Sequence, residues 1–107
     1  MIKTLDQLAQ GLNAIYPTRY SHFSTLQEPP FICYLDDGSN NFCADNKVLI
    51  EGTFVNIELY TKIKDFTAEK KIKDFLNENE LPFDKSPTVF IKTEGVFQCT
   101  FSITLIN

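Results

Sequence analysis

The sequence predicts a single α+β domain, spanning residues 1–107, in which a mainly antiparallel sheet carries two helices on one face. Its length suits one domain and leaves little room for a second. Two segments, 4–16 and 66–78, have the apolar spacing of amphipathic helices. Apolar or alternating runs between and after these segments indicate strands, so the predicted order is α-β-β-β-α-β-β.

The first predicted helix covers residues 4–16. Thr4 with Gln7 fits a capping box, in which the hydroxyl accepts from a backbone amide at the helix start. Gly11 weakens the helix by up to about 1 kcal/mol relative to Ala, which tertiary packing must offset. Pro17 is expected to end it. The apolar residues that share one face are Leu5, Leu8, Leu12 and Ile15.

Three strands are predicted before the second helix. Residues 19–24 form a short strand, and the apolar run 31–35 reads as a well-buried one. Residues 36–41 are rich in Asp, Asn and Gly, and are therefore expected to form a turn or loop. Residues 47–61 alternate over most of their length and predict the longest strand, with Gly52 marking a bulge or bend in it.

The second helix and a final hairpin complete the prediction. Over 66–78 the apolar stripe is formed by Ala68, Ile72, Phe75 and Leu76, and the mixed charges around it indicate a solvated face. Residues 88–93 predict a strand, Glu94-Gly95 its turn, and 96–106 the return strand. That last strand alternates between apolar and polar residues, which is typical of a sheet with one face exposed to solvent.

Composition argues against several classes of function. The chain carries a formal net charge of −4, which disfavours specific binding to a nucleic-acid backbone. It has no apolar run of the roughly 20 residues that span a membrane, and its first 20 residues do not resemble a signal peptide. Cys33, Cys43 and Cys99 are odd in number and form no C-x-x-C pair, so we expect a cytosolic chain without disulfides.

No motif for catalysis or cofactor binding is present, and we therefore expect no enzyme activity, cofactor or metal. The stretch from Asp36 resembles a calcium loop at first sight, but an EF-hand needs Gly where Asn41 stands and Glu where Lys47 stands. A zinc site would require the three cysteines and His22, which lack finger-type spacing.

Phe42 is the candidate binding residue, because a large aromatic lies here in a stretch rich in Asn and Asp. One interpretation is that it faces solvent and anchors a partner. The other is that it folds back onto the core. On the first interpretation the candidate interface comprises Asn40, Asn41, Phe42, Asp45 and Lys47.

A resemblance to a known family covers about residues 1–105. It is carried by the segments 30–35, 40–48, 55–65, Pro82-Phe83 and 94–98. These match in apolar and turn residues rather than in a catalytic signature. On them the chain resembles small head and tail morphogenesis proteins of long-tailed phages and prophages of Gram-positive bacteria.

The resemblance implies a tail-completion or tail-terminator protein. Such a protein forms a ring, commonly a hexamer, that caps the tail tube and joins it to the head connector. Its partners would be further copies of itself and other tail or connector proteins, with assembly in the host cytoplasm and a final place in the virion. Head completion is the neighbouring role in the same junction. The alternative is a small cytosolic protein-binding or regulatory module of prophage origin.

Overall fold

The computed structural model describes residues 2–25 and 27–106. Met1, Leu26 and Asn107, which belong to the predicted domain, lie outside the described residues. The helices and strands are α1 (Leu5–Asn13), β1 (Thr18–Tyr20), β2 (Phe31–Ser39), β3 (Phe42–Ala44), β4 (Lys47–Ile50), β5 (Gly52–Thr61), α2 (Phe66–Glu78), β6 (Asp84–Lys85), β7 (Val89–Ile91) and β8 (Val96–Ile106).

A mostly antiparallel sheet organises the fold, and the α+β prediction is confirmed. The predicted order α-β-β-β-α-β-β is not, because among the described residues five strands lie between the helices and three follow α2. Its strand order is β1-β2-β5-β8-β6, with β7 also pairing to β8 and β1 parallel to β2. β5 and β8 form the centre and pair over ten residues, from Gly52 with Ile106 to Thr61 with Phe97. β3 and β4 pair only with each other and form a separate two-stranded sheet.

Both helices pack on the same face of the large sheet, as predicted. The side chains that alternate toward this face on β5 and β8 meet the apolar stripes of α1 and α2. The capping box of Thr4 and Gln7 is present at the start of α1. The buried cluster comprises Leu8, Leu12, Ile32, Val55, Ile57, Leu59, Ala68, Ile72, Leu76, Leu81, Cys99, Phe101, Ile103 and Leu105.

The packing of α2 against α1 explains why residue 11 is a glycine. The ring of Phe75 from α2 lies directly against its Cα, so that a Cβ at position 11 would fall 2.4 Å from Cε1 and Cζ of the ring. The absence of a side chain therefore lets the two helices approach closely, at the cost in helix propensity that the sequence predicts.

Several predicted boundaries were wrong. α1 ends at Asn13 rather than at residue 16. The strand predicted over residues 19–24 is β1, which covers only Thr18–Tyr20. The loop predicted over 36–41 is largely strand, because β2 continues through a bulge to Ser39. A bulge accommodates Asp and Gly without ending the ladder, which composition alone does not reveal.

The predicted long strand 47–61 is two strands. It breaks at Glu51, and β4 leaves the large sheet to pair with β3. The predicted bend at Gly52 is where this happens: a Cβ at Gly52 would lie 2.3 Å from the backbone oxygen of Asn40. By contrast α2, the turn at Glu94-Gly95 and β8 agree with their predicted positions.

Candidate functional site

The candidate interface residues all lie on one element, which we name the projecting hairpin (residues 40–52). Asp45 and Asn46 both have positive φ, at 53° and 63°, as the two central residues of a type I′ turn do. The turn joins Ala44 directly to its partner Lys47. The candidate residues therefore share a compact, locally determined structure.

The neck of the projecting hairpin is closed by hydrogen bonds to its two ends. The backbone N–H of Asn40 donates to the carbonyl of Gly52 at 2.9 Å, and that of Gly52 donates to Oδ1 of Asn41 at 3.1 Å. Nδ2 of Asn40 donates to Oγ1 of Thr104 in β8 at 3.0 Å. Asn40 and Asn41 thus hold the hairpin on the sheet, which is a structural task distinct from the contact role predicted for them.

Phe42 faces solvent, so the interpretation that folds it onto the core is wrong. Its side chain is 63% exposed, and its cross-strand partner Ile50 is exposed on the same face of the hairpin. Val48 is exposed opposite Cys43 on the other face. Leu49, at the register shift between the two strands, is 64% exposed.

These four side chains make both faces of the hairpin apolar, and none of them is covered by another described residue. Every residue from Asp36 to Glu51 is exposed, and the hairpin lengthens the molecule to 49 Å against 27 and 25 Å in the other directions. The radius of gyration is 14.6 Å, compared with about 13 Å for a compact chain of this length. Large apolar side chains on an extension of this kind mark a surface for a partner.

Sequence reasoning missed three of these four side chains, because Val48, Leu49 and Ile50 were placed in the long strand. A signal was available: Asp45-Asn46 between two short apolar runs matches a two-residue hairpin loop. That interpretation would have paired the residues after the turn with residues 42–44.

A second apolar surface, which we name the β7-end surface, comprises Ile63, Phe66 and Phe90. Phe66 is 72% exposed at the start of α2 and Phe90 is 53% exposed on β7. Nζ of Lys64 connects the two parts, since it lies 4.9 Å from the ring centroid of Phe66 and donates to Oγ1 of Thr88 at 2.6 Å. The sequence did not single out these residues, because they fall outside the apolar stripes that identified the elements.

The face of the sheet opposite the helices, which we name the helix-free face, is polar along the middle of β5 and β8. There it presents a row of amides, hydroxyls and one carboxylate, linked across the strands, whereas Phe54 and Ile106 are exposed apolar residues at its hairpin end. Nε2 of Gln98 donates to the hydroxyl of Tyr60, which donates to Oε1 of Glu58 at 3.0 Å. Oγ of Ser102 donates to Oδ1 of Asn56 at 2.8 Å.

The charges on the helix-free face are mostly negative. Its three long strands place Asp37 and Glu58 there and contribute no Lys or Arg. At the edges, β6 adds Asp84 and β1 adds Arg19, by their registers with Ser102 and Cys33. The face therefore offers phosphate groups no cationic row to bind.

The two buried cysteines have raised pKa values, chiefly because of burial. His22 and Cys33 line the same cleft, of about 680 Å³. Burial, with Glu58 nearby, raises the pKa of the Cys33 thiol to about 11, so that it is a thiol at neutral pH, whereas a nucleophilic cysteine requires a lowered pKa. Cys99 is also buried and Cys43 is exposed. No group of three or more metal-ligating side chains occurs within residues 2–25 and 27–106.

No protein-family model matches the chain, and no curated protein matches it either. Neither of the two described helices is long and apolar enough to cross a bilayer.

Proposed function

We propose that this protein is a phage structural protein of the head–tail junction, which completes or terminates the tail as a ring of identical copies. The observation that supports assembly best is the projecting hairpin, with four exposed apolar side chains on a chain of 107 residues. The resemblance in the sequence supports the junction as the place of assembly.

The helix-free face supports the passage of DNA through such a ring. A channel wall must let phosphates slide, and a polar wall with a small excess of carboxylates repels them without binding. Six copies at −4 each would carry about −24 in total. We propose that the helix-free face lines the channel and that the helices lie on the outside.

The test is to delete the gene from its phage or prophage and examine the particles by electron microscopy. We expect DNA-filled heads and separate, unjoined tails. Adding the purified protein to this lysate should restore joined, infectious particles. Normal virions without the protein would contradict the proposal and favour the alternative, a binding or regulatory module of prophage origin.

A matched pair of variants connects this test to the site. Phe42→Ser removes an aromatic of the projecting hairpin that is 63% exposed, whereas Phe54→Ser removes an aromatic of the helix-free face that is 41% exposed. We expect Phe42→Ser to abolish restoration of joining and Phe54→Ser to retain it. Restoration by both variants would show that the hairpin side chain is not part of an assembly contact.

A further inference from the structure

We propose that the projecting hairpin of one copy docks on the β7-end surface of the next copy, so that identical chains associate head to tail. The proposal rests on the proposed ring assembly and names the two surfaces that would build it. Four properties of the described residues support a second copy of this chain as the occupant.

The first property is the position of the two surfaces at opposite ends of the sheet. The projecting hairpin leaves where Gly52 pairs with Ile106, and β7 lies where Thr61 pairs with Phe97. Nine residue steps along a strand separate these ends, which is about 30 Å. Two different surfaces at opposite ends allow each copy to contact one neighbour on either side, as heterologous association requires.

The second property is that both surfaces are apolar and exposed. One carries Phe42 and Leu49, and the other carries Phe66 and Phe90, all more than half exposed. Aromatic side chains are the commonest anchors of protein interfaces. Covering one surface with the other removes two apolar surfaces from water in a single contact.

The third property is charge complementarity between the two ends. The projecting hairpin contains two carboxylates and one lysine, giving −1. The β7 end, taken as residues 61–66, Glu69 and residues 85–95, contains four lysines and three carboxylates, giving +1. Pairing hairpin with hairpin would bring two like net charges together, whereas pairing head to tail brings opposite signs together.

The fourth property is the free backbone edge of β7. This strand pairs with β8 on one side, and no described strand pairs with its other side. The two strands of the hairpin likewise pair only with each other. Backbone groups on an open edge can accept an added strand from another chain.

The experiment measures self-association of full-length variants by analytical ultracentrifugation. Phe42→Ser disables the hairpin and leaves the β7 end intact, whereas Phe90→Ser does the reverse. We expect each variant alone to associate about thirtyfold more weakly than the wild type, which is typical of losing a central aromatic anchor. Phe54→Ser, outside both surfaces, should associate as the wild type does.

Mixing the two variants gives the decisive result. Head-to-tail docking predicts a discrete complex of one Phe42→Ser and one Phe90→Ser chain, because one intact hairpin can still meet one intact β7 end. It also predicts that growth stops at two chains. If Phe90→Ser fails to fold, Phe66→Ser replaces it, since Phe66 is 72% exposed on the same surface.

Other outcomes would overturn the docking proposal. These are wild-type association by either variant alone, a mixture that forms no complex, or a wild-type chain that stays monomeric at millimolar concentration. Tail completion by the wild-type protein is measured in parallel in the deletion lysate. If the wild type completes tails but the variants associate as strongly as the wild type does, only the docking surfaces are refuted. If the wild type does not complete tails, the proposed function is refuted.

Discussion

At the scale of single residues, Glu69 is a charged side chain held in a buried position. It is 4% exposed, and its two oxygens face lysines from different elements. Nζ of Lys64 donates to Oε2 at 2.5 Å, and Nζ of Lys85 lies 3.6 Å from Oε1. One carboxylate therefore ties α2 to the chain segment before it and to β6.

Replacing this carboxylate should destabilise the fold. Glu69→Gln would leave two partly buried lysines without their counter-charge, and we expect the free energy of unfolding to fall by about 2 kcal/mol. Asp74→Asn is the control, because the pair of Asp74 with Lys70 is exposed and should contribute less than about 0.5 kcal/mol. Urea unfolding measures the loss of unfolding free energy in both variants. Equal losses would show that the buried carboxylate contributes no more to stability than the exposed one.

The buried thiol of Cys33 should make the folded chain less stable at alkaline pH. Its pKa is raised by burial from 9.0 to about 11 in the folded chain. Above pH 9 the unfolded thiol loses its proton while the folded thiol keeps it, so rising pH favours unfolding until about pH 11. The pKa of Tyr60 is also raised, chiefly by burial, and acts in the same direction.

The measurement is the midpoint of urea unfolding as a function of pH. Wild type should lose stability steadily from pH 9 upward, and Cys33→Ala should lose less over the same interval. The thiol of Cys43, which is exposed, provides the control variant Cys43→Ala. A steeper alkaline loss in Cys33→Ala than in the wild type would contradict the proposed cause.

At the scale of elements, the contact between α1 and α2 depends on Gly11. An Ala at this position adds helix propensity worth up to about 1 kcal/mol, but its Cβ would collide with the ring of Phe75. We expect Gly11→Ala to give no net stabilisation in the wild-type chain. In a Phe75→Leu background the same change should stabilise the fold by up to about 1 kcal/mol.

Thermal unfolding of the four chains in this cycle gives the coupling between the two positions. Equal effects of Gly11→Ala in both backgrounds would show that the ring moves away without cost.

The projecting hairpin shows how local and long-range effects divide within one element. Its turn follows from Asp45 and Asn46, residues that tolerate positive φ. Its departure from the large sheet depends on the close approach of Gly52 to Asn40, which are far apart along the chain. The turn was therefore predictable, whereas the break between β4 and β5 was not.

At the scale of the whole molecule, the proposed ring would meet DNA through the helix-free face. Thr100 lies on this face, opposite Glu58, and Thr100→Lys adds a cation there. Gln10→Lys adds the same charge on the exposed side of α1 and is the control. We expect the ring of Thr100→Lys to bind duplex DNA and the control ring to behave as the wild type.

The salt dependence of DNA binding is the measurement. One added phosphate contact per copy in six copies would steepen the slope of log K against log salt by up to about 5. Equal slopes for both lysine variants would indicate that the helix-free face does not line the channel.

The sequence by itself determined the features that depend on neighbouring residues. Apolar periodicity identified α2 and β8, the spacing of Thr4 and Gln7 identified the cap of α1, and Glu94-Gly95 identified the last turn. These follow from backbone geometry and local hydrogen bonds, so a short window of residues contains the information. The exposed position of Phe42 was one of two open interpretations, since its neighbours are equally suited to a loop or a hairpin.

Only the tertiary structure decided which apolar residues remain in water. Val48, Leu49 and Ile50 have the composition of core residues, yet they lie on the projecting hairpin and are exposed. Phe66 is exposed because α2 packs on the sheet through its apolar stripe, and Phe90 is exposed because it lies on an edge strand. Burial depends on what packs against a side chain from distant parts of the chain, and a linear pattern of apolar residues does not contain that information.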